Sequence, residues 1–396
     1  MWENSVVQVF NFNIQRQRQL PNFWKSWFNL VVAALILVGF PSSSIEPSAG
    51  QPQPVCQSAD GLNRFGINEI LGWPGLYTTQ RLETSIGLMA DAGIGWARTN
   101  WAWKDLQPKQ GPFDYTHLDD VAWIAAEHHI QVLPILTAVP AWSATAPDQL
   151  KAKYGNLSPV DRYRPANIED WLRYVQNVVK RYGAADDAPG STRIKYWEVW
   201  NEENIPEFWP PTPNPAEYLA LLKATYQTIK AADPTAKVVL GGLANAGINA
   251  NGSNYLQSLY DLGGASYFDV VSIHYYSAPM YGVAPVQHAV ESVRAIMDSH
   301  GDRGKPLWLT EIGWSDTASS GGTATKDEIA TFLKAVYTAP LPADLIFWYN
   351  FRNIFANSPD PEHNFGLVNA DFTPKPAYNA YKSLTTSCIT KPTNDS

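Results

Sequence analysis

The sequence predicts an α/β fold, a single (β/α)8 TIM barrel, and three observations carry that prediction. From residue 61 onward, short apolar runs rich in β-branched and aromatic residues alternate eight times with segments of helical spacing. Residues 61–388 hold all eight units, a length that suits a barrel with generous loops. No Gly-rich phosphate turn follows the first strand, and Gly241-Gly242 after the fifth opens no such pattern, which argues against a doubly wound open sheet.

The expected strands are 63–68, 94–99, 130–136, 194–200, 237–242, 268–274, 306–310 and 344–350. Between the first two, Leu82, Ile86, Met89 and Ala90 share one helix face, closed by Gly93. Leu118, Val121, Ala122 and Ala125 repeat the pattern behind an N-cap candidate, Thr116. Trp171, Val175, Val178 and Tyr182 repeat it before Gly183, and Asn214-Pro215 opens the next helix in cap-then-proline order.

Upstream of the barrel, residues 30–40 form an uncharged apolar run behind Arg16, Arg18 and Lys25. That order reads as a secretory signal over 1–40, or as an uncleaved signal anchor, because Trp24, Trp27 and Phe28 lengthen the run. Either version places the chain beyond residue 41 outside the cytoplasm, secreted or held on the outer side of the membrane. A Pro/Ser-rich linker over 41–60, the barrel over 61–388 and a tail over 389–396 complete the organisation. The two cysteines, Cys56 and Cys388, sit at the ends of the barrel region. Barrel termini lie close together, so a bridge between them is expected; the alternative is two free thiols.

Composition narrows the function classes. With 45% hydrophobic and 17% charged residues the chain is globular, and a net charge of −8 without a basic stripe excludes a nucleic-acid partner. No cofactor motif appears, His128-His129 lacks a carboxylate at metal spacing, and no HExxH occurs, so neither metal nor cofactor is expected. Core filling accounts for most of the 16 Trp, 19 Tyr and 15 Phe, but not for the concentration of Trp beside loop signals. Flat aromatic faces there suit stacking on sugar rings, which makes carbohydrate the expected partner and leaves no protein partner implied.

Barrel active sites collect at the C-terminal ends of strands. The fourth strand runs out in Trp200-Asn201-Glu202 and the seventh in Thr310-Glu311. Being three strands apart sets the two glutamates across the mouth from each other, an arrangement suited to one protonated and one ionised carboxyl. Alternation sends Arg98 up from the second strand and His274 and Tyr276 inward from the sixth. Arg98 and Tyr276 then serve Glu311, while Trp197, Trp200 and Trp209 surround Glu202 and keep its proton. Glu198 lies about 13 Å deeper at strand rise and belongs to the packed layers. Glu203 either faces outward or lines the cleft. Asp269 and Asp344 begin strands at the structural face of the barrel.

These residues resemble clan A of the glycoside hydrolases, retaining (β/α)8 enzymes, over about residues 61–385. The resemblance rests on Trp200-Asn201-Glu202 and on Thr310-Glu311-Ile312-Gly313-Trp314. Supporting segments are Arg98, His274-Tyr275-Tyr276, Trp348, the Trp103–Asp119 stretch, and Phe365-Gly366-Leu367 with Lys375 to Tyr378. Family 39-like members are nearest and cellulase-like family 5 second. The histidine usual at the end of the third strand in the cellulase-like enzymes is replaced by the Thr137–Trp142 segment. The resemblance implies Glu202 as acid/base, Glu311 as nucleophile and Asn201 as partner of the sugar 2-hydroxyl. It also implies Arg98 and Tyr276 orienting the nucleophile and Trp348 flooring the subsite of the reacting sugar; His274 is either a further site residue or a core histidine satisfied by backbone. Trp142, Trp209 and Trp314 are further stacking candidates. The expected activity is hydrolysis of a β-linked oligo- or polysaccharide, with an open cleft preferred. An exo-acting β-glycosidase such as a β-xylosidase, or a silent sugar-binding barrel, is the alternative.

Overall fold

The computed structural model describes residues 53–183, 193–249, 252–317 and 324–389. The signal or anchor, the linker up to residue 52 and the tail beyond Ile389 lie outside them. Eight strands run in chain order: β1 (Phe65–Asn68), β2 (Trp96–Ala102), β3 (Gln131–Thr137), β4 (Tyr196–Asn201), β5 (Lys237–Gly242), β6 (Val271–His274), β7 (Leu307–Ile312) and β8 (Leu345–Tyr349). They pair in parallel in the order β5-β4-β3-β2-β1-β8-β7-β6, and bridges Val239–Val270 and Leu243–Ile273 join β5 to β6. The ring is therefore closed, and the fold is a (β/α)8 barrel. Each predicted strand is present. β2 runs past Thr99 to Ala102, because Asn100, Trp101 and Ala102 continue its pairing with Ile135, Leu136 and Thr137.

The principal helices are α1 (Thr79–Asp91), α2 (Thr116–Glu127), α3 (Ile168–Tyr182), α4 (Pro215–Ala232), α5 (Tyr255–Asp261), α6 (Ala284–Ser299), α7 (Lys326–Thr338) and α8 (Pro376–Ile389). Helix α1 buries Leu82, Ser85, Ile86 and Met89, and Gly93 beyond it takes φ +68, the left-handed conformation that closes helices. Thr116 is the first helical residue of α2 rather than its cap; Asp114 accepts the Thr116 backbone N–H instead. Asn214 caps α4 through two backbone N–H groups, with Pro215 in the first turn. Thr325 and Glu328 form a reciprocal capping box on α7.

The barrel interior is plugged by Trp96, Leu133, Val239, Val270, Trp308, Leu345 and Phe347. A second apolar layer lies between strands and helices, where Trp101 meets Tyr182 and Trp197, and Trp348 meets Phe332 of α7. Half of the tryptophans are thereby fully buried core residues: Trp101, Trp103, Trp171, Trp197, Trp200, Trp209, Trp308 and Trp348. Cys56 and Cys388 form the expected disulfide across 332 residues, fastening the entry segment to α8. Among the described residues, no helix is long and apolar enough to cross a membrane.

Candidate active site

The end of β4 departs from regular strand geometry. Trp200 has φ +75 and Glu202 φ +51, both in the left-handed region, at a cost of about 1–3 kcal/mol each. Asn201 pairs with Gly242 of β5, and the Glu202 N–H donates to the Gly242 carbonyl at 3.0 Å. A regular strand would send Trp200 to the same side as Glu198. The left-handed residue turns its indole outward instead, onto Trp171 and Trp209, with its N–H donating to the Phe208 carbonyl at 2.8 Å. This corrects the expected surroundings of Glu202. Trp197 packs on Trp101, and Trp209 is buried against Trp200 and Tyr218, so neither lines a sugar subsite. The Glu202 side chain is 15% exposed at the mouth. Burial raises its carboxyl to about 7, against the opposing pull of Arg98 and Arg162, with Glu207 adding to the rise.

Arg98 organises the opposite side. Its Nη1 donates to Glu311 Oε1 at 2.7 Å, and the Tyr276 hydroxyl donates to Glu311 Oε2 at 2.6 Å, so both oxygens of Glu311 accept. Arg98 also donates to Asn68 Oδ1 at 2.8 Å, to Asn201 Oδ1 at 2.7 Å, and to Glu198 through Nε at 2.6 Å and Nη2 at 2.8 Å. These bonds employ the full guanidinium donor set. Glu198 is indeed deep, with no exposure, but it is not mere packing. Arginine reaches down to it, and this bidentate carboxylate fixes the guanidinium that grips Glu311 and Asn201. Arg98 holds the carbonyl oxygen of Asn201, and among the described residues no acceptor stands on its amide N–H groups.

His274 joins the two glutamates. Its Nδ1 lies 2.8 Å from Glu202 Oε1 and 3.5 Å from Glu311 Oε2. The ring is wholly buried, and burial pushes its pKa down to about 4, so it is neutral above that pH. Gly242 makes room for it, since a Cβ there would stand 2.0 Å from Nε2. Glu203 faces outward, buried beside Tyr218 and Gly241, and burial raises its carboxyl to about 8. Glu202, His274 and Glu311 each offer one ligand atom within 4.8 Å of the others, the group among the described residues that could hold a metal ion.

The β8 side needs a second correction. Trp348 is buried in the layer between barrel and helices, against Phe332, and cannot floor a sugar subsite. Phe347 points into the barrel, so alternation sends Tyr349, not Trp348, toward the mouth. Tyr349 stands edge-on to Tyr276 at 6.2 Å and to Phe365 at 5.3 Å, and its peptide bond to Asn350 is cis. Its phenol is held far above the ordinary range, first by burial and then by the carboxylates of Glu362, Glu311, Glu69 and Glu202. Tyr349 and Phe365 are site residues that the sequence pattern did not assign, although a parity count along β8 points to Tyr349. Trp142 is half-buried on the loop after β3, donating to the Gln107 carbonyl at 3.0 Å and edge-on to Trp103. Trp314 is half-buried in a small crevice with Asp316, Lys326, Asn364 and Lys375.

Comparison with known proteins extends this geometry. The family model described as glycosyl hydrolases family 39 matches residues 93–387. A Caldicellulosiruptor saccharolyticus β-xylosidase is 25% identical over 69% of this chain and 56% of its own length. A Geobacillus stearothermophilus β-xylosidase is 26% identical over 57% and 47%. A Halorubrum lacusprofundi β-galactosidase is 28% identical over 33% of this chain and 19% of its own. The chain thus spans about half or less of the length of these curated relatives. Among solved structures, a family 39 glycoside hydrolase from Bacteroides cellulosilyticus superposes with a TM-score of 0.62 at 24% identity, covering 82% of this chain and 63% of that one. A Caulobacter crescentus β-xylosidase of the same family gives 0.59 at 20% identity, covering 84% and 73%.

Proposed function

The chain belongs to glycosyl hydrolases family 39, and from that premise we propose a retaining β-glycosidase in which Glu202 is the acid/base and Glu311 the nucleophile. The observation that carries this reading is the carboxyl separation. An oxygen of Glu202 lies within 4.8 Å of one of Glu311. Retaining enzymes place the two groups about 5–5.5 Å apart, whereas inverting ones leave about 6.5–9.5 Å for a water. In the first step Glu311 attacks the anomeric carbon while the proton of Glu202 passes to the leaving oxygen. In the second, Glu202 takes a proton from water, which releases the sugar from Glu311. Arg98 and Tyr276 orient the nucleophile, and Asn201 donates to the sugar 2-hydroxyl.

The relatives named β-xylosidases support an aryl or oligomeric β-xyloside as the first substrate, with a β-galactoside second. Those names favour exo action over the open endo cleft that the loop aromatics suggest. The apolar run at 30–40 and the disulfide, a bond of oxidising compartments, support export, either secreted or anchored outside the membrane. Hydrolysis of 4-nitrophenyl β-xyloside and of xylobiose by the Glu202→Ala and Glu311→Ala variants tests the assignment. Glu311→Ala loses both substrates. Glu202→Ala keeps much of the activated substrate but loses about 10²–10⁴-fold on xylobiose, whose leaving group needs a proton. Equal losses on the activated substrate would overturn the division of roles, and a wild-type protein that binds but turns over neither substrate would point to a silent barrel.

A further inference from the structure

Arg162 closes the short turn Val160–Arg162 in the connection between β3 and α3. That turn is fixed, because the Val139 N–H donates to the Asp161 carbonyl at 2.8 Å and Lys104 Nζ holds the Asp161 carboxylate at 2.7 Å. From there the Arg162 guanidinium lies 4.3 Å over the Phe208 ring and donates to the Glu207 carbonyl at 3.0 Å. Phe208 and Glu207 belong to the connection that starts at Glu202. Arg162 therefore bridges the two connections, one of which begins at Glu202, and its positive charge favours the ionised form of the Glu202 carboxyl.

Three other cations of the same region of the barrel mouth each have a carboxylate partner. Arg98 is paired with Glu198 and Glu311, Lys104 with Asp161, and Arg164 with Glu217. Arg162, among the described residues, has no carboxylate within ion-pair distance, and a single N–H of its guanidinium has a protein acceptor. The Glu207 side chain is exposed and forms no pair with it. One face of the guanidinium is covered by Phe208, so the remaining donors lie along its edge. That geometry matches a planar carboxylate approached side-on.

We propose that Arg162 forms an anion subsite on the leaving-group side of the cleft, so that β-glycosides whose aglycone carries a carboxylate, such as a uronic acid residue, are preferred. This rests on Glu202 being the group that protonates the leaving oxygen, since the connection that begins at Glu202, on which Arg162 rests, then borders the aglycone. A bound carboxylate also offsets the cation that weakens the hold of Glu202 on its proton. The charged substrate thus helps keep the acid in its working form.

The test compares 4-carboxyphenyl β-xyloside with its methyl ester on the wild-type protein and on Arg162→Gln and Arg162→Lys. The ratio of kcat/KM for the acid to that for the ester is expected to fall about tenfold in Arg162→Gln, the scale of a partly exposed charge-assisted hydrogen bond. Arg162→Lys restores part of it, and added salt narrows the wild-type preference. A ratio unchanged by Arg162→Gln, with both substrates affected alike, means that Arg162 only braces the loop, and the proposal fails. If neither xyloside is turned over, it is the xyloside reading that fails. Calorimetric titration with sodium glucuronate and with glucose then decides. Tighter binding of glucuronate that Arg162→Gln abolishes supports the subsite, and equal binding of the two sugars overturns it.

Discussion

At the scale of single residues the site gives two similar carboxyls different surroundings. Glu311 receives hydrogen bonds on both oxygens from Arg98 and Tyr276, while Glu202 is held at the mouth with its carboxyl raised to about 7 by burial. That difference sets the sign of the pH dependence. An acid must carry its proton, so kcat/KM for a substrate with a poor leaving group falls as pH rises through about 7. His274 is already neutral above about 4 and contributes no limb near 6.5. A pH–rate profile checks this, and a basic limb near the ordinary carboxylate range would show that Glu202 is hydrated in solution. The two glutamates, Arg98 and Tyr276 were legible because strand ends and side-chain parity locate them. The link between Arg98 and Glu198 was not, since counting strand rise measures backbone depth and ignores the reach of an arginine.

At the scale of elements, parity is reliable only while a strand stays regular. It correctly placed Arg98 on β2 and His274 on β6, and a parity count along β4 would fail, because left-handed Trp200 turns its ring out among the helices. Nothing in Trp-Glu-Val-Trp-Asn announces that reversal; the partner strand does so only indirectly. Gly241 and Gly242 of β5 lie where Cβ atoms would strike the Glu203 carboxyl and the His274 ring. Their lack of side chains, read in the sequence as an incomplete phosphate-loop pattern, is what admits those groups. Gly242→Ala is expected to displace His274 and the Glu202 backbone, lowering kcat at least about tenfold, because small misplacements of reacting groups carry large rate penalties. Steady-state kinetics beside a thermal melt would check it; a variant with wild-type kcat would show that His274 is not needed where it stands. On β8 the resemblance pointed to Trp348, and alternation alone would have pointed to Tyr349.

At the scale of the molecule, eight strand–helix units, their order and the closing bridge between Cys56 and Cys388 were all legible, since each leaves a periodic or countable trace. The division between stacking and core tryptophans was not, because both uses place the same residue near strand ends. The bridge encloses 332 residues of sequence. On loop-entropy grounds, removing it by Cys56→Ser with Cys388→Ser is expected to destabilise the fold by up to about 6 kcal/mol. Equilibrium denaturation of the oxidised and double-serine proteins measures this, and overlapping curves would show that the enclosed loop contributes nothing. The same bridge has a mechanical side. A stretching force applied at residue 53 and at residue 389 passes through the sulfur–sulfur bond and into a few residues on either side, and all eight strands stand outside the load path. Tension on the chain ends, from a tether or a clinging polymer, leaves the catalytic mouth unstrained for as long as that one covalent link is intact.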